Sequence, residues 1–318
     1  PGERRLDMYN ATGEPPLEMN GTADAASSFE LPLSLDAALP YLNPWNLSVV
    51  HWLVGFVLIR GAIAFYDNLV EFLIRFSKVP KLPTREDAAT GEPKEVYFKG
   101  LDRISFVYLV INAADEWIFV QNLTHFIWHS DAVPKTLGGL NPLNTAAALY
   151  LMFLVLDFFY APAHRFLHWG PVYPYIHKHH HRQRFPVRGY LDAGNEHPVE
   201  HVIGVSCTWM AVWTAVAVTG AHAASIFFFF NIHAALAMLN HSEFDVDVTV
   251  LGLNYSVKAH EIHNRFYNTN YAQYWLGMDK LMGTFDPYTA DNTRPSRGLA
   301  KARAAAAARA TESGKKVQ

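Results

Sequence analysis

The sequence predicts an all-α, polytopic membrane bundle of four to five spans, with a cytosolic helical cap that carries a histidine-rich dimetal site. Three observations predict it. Five apolar stretches approach the length needed to cross a bilayer. Lysine and arginine alternate between the segments that join them. Histidine is concentrated in one part of the chain: of the 16, 13 fall between His164 and His263, where uniform scattering would put about five.

Half of the 318 residues are hydrophobic and only 17% are charged, which leans towards a membrane protein. The formal net charge of −3 gives no general attraction to nucleic acid, and no nucleic-acid partner is expected. The single cysteine, Cys207, cannot form an internal disulfide. Residues 1–43 are rich in Pro, Gly, Ala, Ser and acid, without a sustained apolar period, and read as a loosely ordered tail. They lack the basic start, apolar stretch and small-residue cleavage site of a signal peptide.

The apolar stretches run over 47–66, 104–128, 145–163, 202–219 and 223–239. A helix needs roughly 20 residues to cross the hydrocarbon layer. Arg60 in the first, and Asp115 with Glu116 in the second, are costly in a bilayer and are expected to face the bundle interior or snorkel. Seven Lys and Arg lie in 67–103, but only Lys135 lies between the second and third stretches. Arg165, Lys178, Arg182, Arg184 and Arg188 follow the third, none lies between the fourth and fifth, and Lys258, Arg265 and Lys280 come after the fifth. The positive-inside rule then puts the loop at 67–103, the segment 164–200 and everything after His241 in the cytosol. The N-terminal tail falls on the other side, where Asn10 and Asn20 have the spacing of glycosylation acceptors. The whole membrane domain is read as 44–290. The basic, Ala-rich tail 291–318 ends with Lys315 and Lys316 in the positions of an endoplasmic reticulum retrieval signal. A multi-pass protein of that membrane, with the active site and C-terminus cytosolic, is expected.

The histidines form boxes. His164-Arg-Phe-Leu-His168 closes the third stretch, and residues four apart share a helical face. In His177-Lys-His-His180-His181, positions i, i+3 and i+4 would line one face with His179 turned away. His197-Pro-Val-Glu200 precedes the fourth stretch, His241 closes the fifth, and His260-Glu-Ile-His263-Asn264 comes last. Imidazole suits Fe, Zn and Cu. Nine candidate ligands are too many for one closed zinc site of four, so two metals sharing them is the economical reading.

These boxes resemble the fatty acid hydroxylase and sterol desaturase superfamily, whose pattern is HxxxH, HxxHH, HxxHH between membrane helices. Asp157 and Tyr160 stand upstream of His164 as in that family. The segments EHPVEH, NHSEFD and NTNYAQYWLGMDKLMGTF are similar to its remaining elements, so the resemblance spans 157–285. It implies metal ligands at His164, His168, His177, His180, His181, His197, His241, His260 and His263, with Asn264 and His179 as weak or outer-sphere groups. The family usually supplies a tenth histidine where this chain has Asn264, a departure that loosens the second metal. By resemblance the cofactors are two non-haem iron atoms, with zinc an alternative in isolated protein, and O2. Electrons come from a partner, cytochrome b5 or an NAD(P)H reductase. The implied activity is hydroxylation or desaturation of a membrane lipid: a sterol, sphingoid base or fatty acyl chain. A wax-type aldehyde decarbonylase and a catalytically inactive family member stay open beside it, the latter because of Asn264. Oligomeric state is not legible.

Overall fold

A computed structural model describes residues 48–82, 101–182 and 188–288. The glycosylation triplets, both tails and the dilysine lie outside the described residues. Helix α1 (Val49–Phe76) starts at Ser48, and α2 (Arg103–His129) starts at Asp102, whose carboxylate accepts the Ser105 amide. Helix α3 (Pro142–Leu167) begins at Asn141, whose side chain accepts two first-turn amides. Proline takes the first helical position, where no amide hydrogen is needed. The same device opens α5 (Pro198–Thr219), with His197 as the cap, and Gly220 ends it in the left-handed conformation. Helix α6 (Ala223–Leu239) follows at once.

Helices α1, α2, α3 and α5 are each long and apolar enough to cross a membrane, while α6 is a shorter apolar helix of 17 residues. This agrees with the four to five spans read from the sequence. The core lies between α3, α5 and α6, where Met152, Leu156, Ala211, Ala215, Ile226 and Phe229 are buried. Alanines at 148, 211 and 215 allow close approach of α3 and α5. Helix α1 is the opposite case. Leu53, Val57, Leu58, Phe65 and Phe72 are exposed along it, an apolar surface that hydrocarbon rather than water would tolerate.

The intramembrane charges face inward. Arg60 of α1 reaches Glu116 of α2 at 3.4 Å, and Asp115 lies 3.6 Å from His201 of α5. After α6 the chain forms a cap: an antiparallel hairpin of β1 (Asp247–Val250) and β2 (Leu253–Ser256), then α7 (Val257–Phe266) and α8 (Leu276–Met282). The hairpin departs from the all-α expectation. Its two-residue turn, Leu251-Gly252, needs positive φ at both positions (48° and 91°), which glycine supplies without strain at the second. Between α3 and α5 lie a 3₁₀ run, His177–Arg182, and the short helix α4 (Tyr190–Ala193).

Candidate metal centre

Eight imidazoles gather where the cap meets the ends of α3 and α6. They form two groups. In the first, ligand atoms of His164, His168, His177, His181 and His263 lie within 4.8 Å of one another. In the second, those of His180, His241 and His260 do the same, and His180 also groups with Glu196 and Glu200.

Two of the three boxes are divided between the groups. The run 177–181 was expected to turn three imidazoles to one helical face. It is 3₁₀ instead, so residues three apart eclipse. His177 and His180 accordingly stack, with ring centroids 5.6 Å apart and planes 22° apart, while His181 turns edge-on to His177. His177 and His181 enter the first group and His180 the second. Helix α7 divides its pair likewise, sending His263 to the first and His260 to the second. His164 and His168 stay together, at the last turn and C-cap of α3.

One implied ligand lies outside both groups. His197 is the N-cap of α5: its Nδ1 accepts the Val199 amide, and its ring packs on Tyr108. Helix initiation has taken its Nδ1. His179 points away from the boxes, as expected, to Asn195 and Ser105. Nor do the other spare histidines join. His201 pairs with Glu196 at 2.8 Å, His233 with the Tyr274 hydroxyl, and the buried His222 caps α6.

Hydrogen bonding decides what the first group can do. Nδ1 of His164 faces the Tyr271 carbonyl at 2.9 Å, and Nδ1 of His263 faces the Thr269 carbonyl at 2.7 Å. Nδ1 of His177 meets the Glu200 carboxylate at 2.6 Å. Carbonyls only accept, so the proton sits on Nδ1 and a lone pair is left on Nε2. Those lone pairs converge. Nε2 of His164 is 3.0 Å from that of His177. Nε2 of His181 lies 2.9 Å from His177, 3.2 Å from His168 and 3.2 Å from His263. Facing lone pairs repel unless a proton or a metal cation lies among them. Burial first, and then neighbouring histidines, hold His168, His177, His181 and His263 below the ordinary imidazole value, so added protons are disfavoured. A metal cation fits this donor set.

The second group is looser. His180 and His241 approach at 3.3 Å between Nε2 atoms, and Nδ1 of His241 donates to the Ala237 carbonyl. His260 packs on His241 with ring centroids 4.8 Å apart. Its Nε2 is buried without a hydrogen-bond partner, as is Nδ2 of Asn264, which is 1% exposed. Burial lowers His180, His241 and His260 too, keeping them neutral donors. A cavity of about 140 Å³ borders this group, lined by His180, His241 and His260 together with Tyr160, Tyr190 and Thr208.

The residues that hold the ligands in place were mostly beyond sequence reasoning. Asp157, fully buried in α3, accepts the amides of Gln273, Tyr274 and Trp275. Asp279 of α8 accepts those of Tyr271 and Ala272 and the Thr284 hydroxyl. Two carboxylates thus pin the loop whose carbonyls orient His164 and His263. Glu200 was visible in its motif, but its role as the acceptor for His177 was not.

The fold and site together define a polytopic helical membrane protein with a buried imidazole centre that could hold metal. Residues 149–284 match the family model described as fatty acid hydroxylase, and this segment holds the histidine boxes. A methylsterol monooxygenase of Aspergillus fumigatus is 27% identical over 142 residues, 43% of this chain and 46% of that one. A fatty acid hydroxylase of Mycosarcoma maydis is 27% identical over 197 residues, 59% of this chain and 49% of that one. The chain thus spans about half the length of the curated relatives it matches. No solved structure matches it.

Proposed function

We propose that the protein is an O2-dependent oxidoreductase that hydroxylates or desaturates a membrane lipid at a pair of non-haem irons. The observation that carries this reading is the convergence of Nε2 lone pairs in two adjacent groups, one of them bordering a cavity. His164, His168, His177, His181 and His263 would hold one metal. His180, His241 and His260 would hold the other, with Asn264, Glu196 and Glu200 as nearby oxygen donors. Bound iron would supply oxygen activation and cleavage of an unactivated C–H bond, chemistry that no side chain offers.

The chain's own contribution is to position and to exclude water. Glu200 and the Thr269 and Tyr271 carbonyls fix the ring orientations in the first group. By the family resemblance, electrons would come from an external partner, cytochrome b5 or an NAD(P)H reductase. The family's relatives include a protein named for methylsterol oxidation and one for fatty acid hydroxylation, which supports a lipid substrate. The alternation of Lys and Arg between the apolar stretches supports a cytosolic site.

The test is metal analysis of purified protein beside lipid profiling under O2. About two irons per chain are expected, with one lost in His180→Ala, and an O2-dependent change in lipid hydroxylation or unsaturation. Full activity in iron-free protein, or turnover without O2, would end this reading.

A further inference from the structure

Below the site, on the membrane side, α1 and α6 do not close on each other. Between them runs a groove of about 330 Å³ whose walls include Ala62, Phe65, Tyr66, Phe230, Ala234 and Met238. One hydrogen bond, from the Tyr66 hydroxyl to the Asn231 carbonyl at 2.6 Å, ties the two helices there. The rest of α1 presents bare apolar side chains, so inside a bilayer this groove faces hydrocarbon. Apolar side chains dominate its lining, and its volume is at the lower end of pockets that enclose a small molecule.

Tyr190 belongs to both this groove and the 140 Å³ chamber that holds His180, His241 and His260. It is the partition between them. Polar contacts hold it there: its amide donates to Asp67 of α1 at 3.2 Å, and its hydroxyl bonds Glu116 of α2. The Arg60 guanidinium lies 5.8 Å from its ring centroid. Gly189 lets the chain come this close. Its φ is +57°, and a Cβ there would fall 2.6 Å from Asp67 Oδ1 and 2.9 Å from Met238 Cγ.

A partition between an apolar groove open to lipid and a narrow chamber beside a candidate metal group selects by cross-section. We propose that the groove between α1 and α6 takes the hydrocarbon chain of one straight-chain lipid, and that Tyr190 sets the width of its path to the second histidine group. The chamber's 140 Å³ is below the range that encloses a small molecule. A linear chain can put a few carbons there and leave the remainder in the groove, whereas a rigid fused-ring lipid must bring its full width past Tyr190. The inference rests on the lipid-oxidation reading and narrows its substrate class.

The experiment is photo-cross-linking of full-length protein in phosphatidylcholine nanodiscs. One probe is a diazirine-bearing straight-chain fatty acid and the other a diazirine-bearing sterol. Labelled peptides are mapped and histidine-bound metal is measured in the same samples. The fatty acid should label α1 and α6 peptides around Tyr66 and Ala234. Ala234→Trp should cut that labelling roughly ten-fold, about 1.4 kcal/mol of binding, with metal content unchanged. The fatty acid should also label chamber peptides around Thr208 in the wild type, whereas the sterol should label them only in Tyr190→Ala. Should Ala234→Trp fail to fold, Ala62→Leu, an exposed position on α1, obstructs the same groove. Equal sterol and fatty-acid labelling in the wild type, or labelling insensitive to the obstructing substitution, would overturn the proposal. Protein that labels as expected but holds no metal would instead sink the oxidation reading and leave the lipid path standing.

Discussion

The two histidine groups draw on the same sequence boxes and differ in enclosure. In the first, five imidazoles face one another, and three of them are held from behind by two carbonyls and a carboxylate. None of the five borders the chamber. In the second there are three imidazoles, one oriented from behind by a carbonyl, and all three line the chamber. Asn264, four residues after His260 on α7, is an amide where the resemblance implies imidazole. The difference teaches that one donor set is well supported and away from the cavity, while the other is less complete and lies on the cavity wall.

The sharpest way to break this comparison is to remove the hub of the first group. Nε2 of His181 faces those of His168, His177 and His263. His181→Ala is expected to remove about one metal per chain and leave the second group loaded, as read by elemental analysis. Loss of both metals would show that the groups are not separable.

A milder strike is Glu200→Gln, which keeps the shape but replaces the carboxylate behind His177. Metal affinity of the first group should fall by roughly 10–100-fold, the usual scale for an outer partner of a ligating histidine. Competition with a chelator measures it, and an unchanged affinity would deny Glu200 its role.

The second group can be improved instead of damaged. Asn264→His should raise its metal retention on the order of ten-fold and leave the first group unaffected. Equilibrium dialysis distinguishes that from a uniform change.

Acid should act on both groups. Burial holds these histidines below their ordinary value of about 6.5, so below that pH the unfolded chain binds more protons than the folded one. Stability of metal-free protein is therefore full above about pH 6.5 and falls as the pH drops below it. Thermal unfolding between pH 7.5 and 5 (a range set by that imidazole value) checks the direction, and a flat profile would contradict it.

The smallest effect belongs to Asp102, which caps α2 and pairs with Arg182 at 2.7 Å. Asp102→Ala should cost about 1 kcal/mol in unfolding experiments, the ordinary loss of an N-cap, and change neither metal group. A change in metal content would mean that the 3₁₀ run feels the position of α2 through Arg182.

Much of this was legible beforehand. The apolar stretches gave α2, α3, α5 and α6 to within a few residues, because a bilayer demands long apolar helices wherever they cross, while α1 runs ten residues past the expected end at 66. His164, His168, His180, His181 and His263 were legible as candidates because their spacing is local. The fate of His197 was not. The sequence offers a histidine before a proline, and either a metal or the first turn of α5 could use its nitrogen; only the folded helix shows the Val199 amide taking it.

What the sequence determined by itself was the inventory: how many spans, which residue types, and which ends of the spans carry imidazole. These follow from composition and from short-range periodicity, which the covalent chain fixes. The tertiary structure decided which imidazoles share a centre. His177 and His180 are stacked three residues apart yet fall in different groups, because α7, brought in from some 80 residues away, offers His263 to one and His260 to the other. It also decided that Asp157 and Asp279 hold the loop behind the histidines, and that Tyr190 lines both the groove and the chamber. Contacts of that kind depend on the packing of helices against one another, which no local pattern encodes.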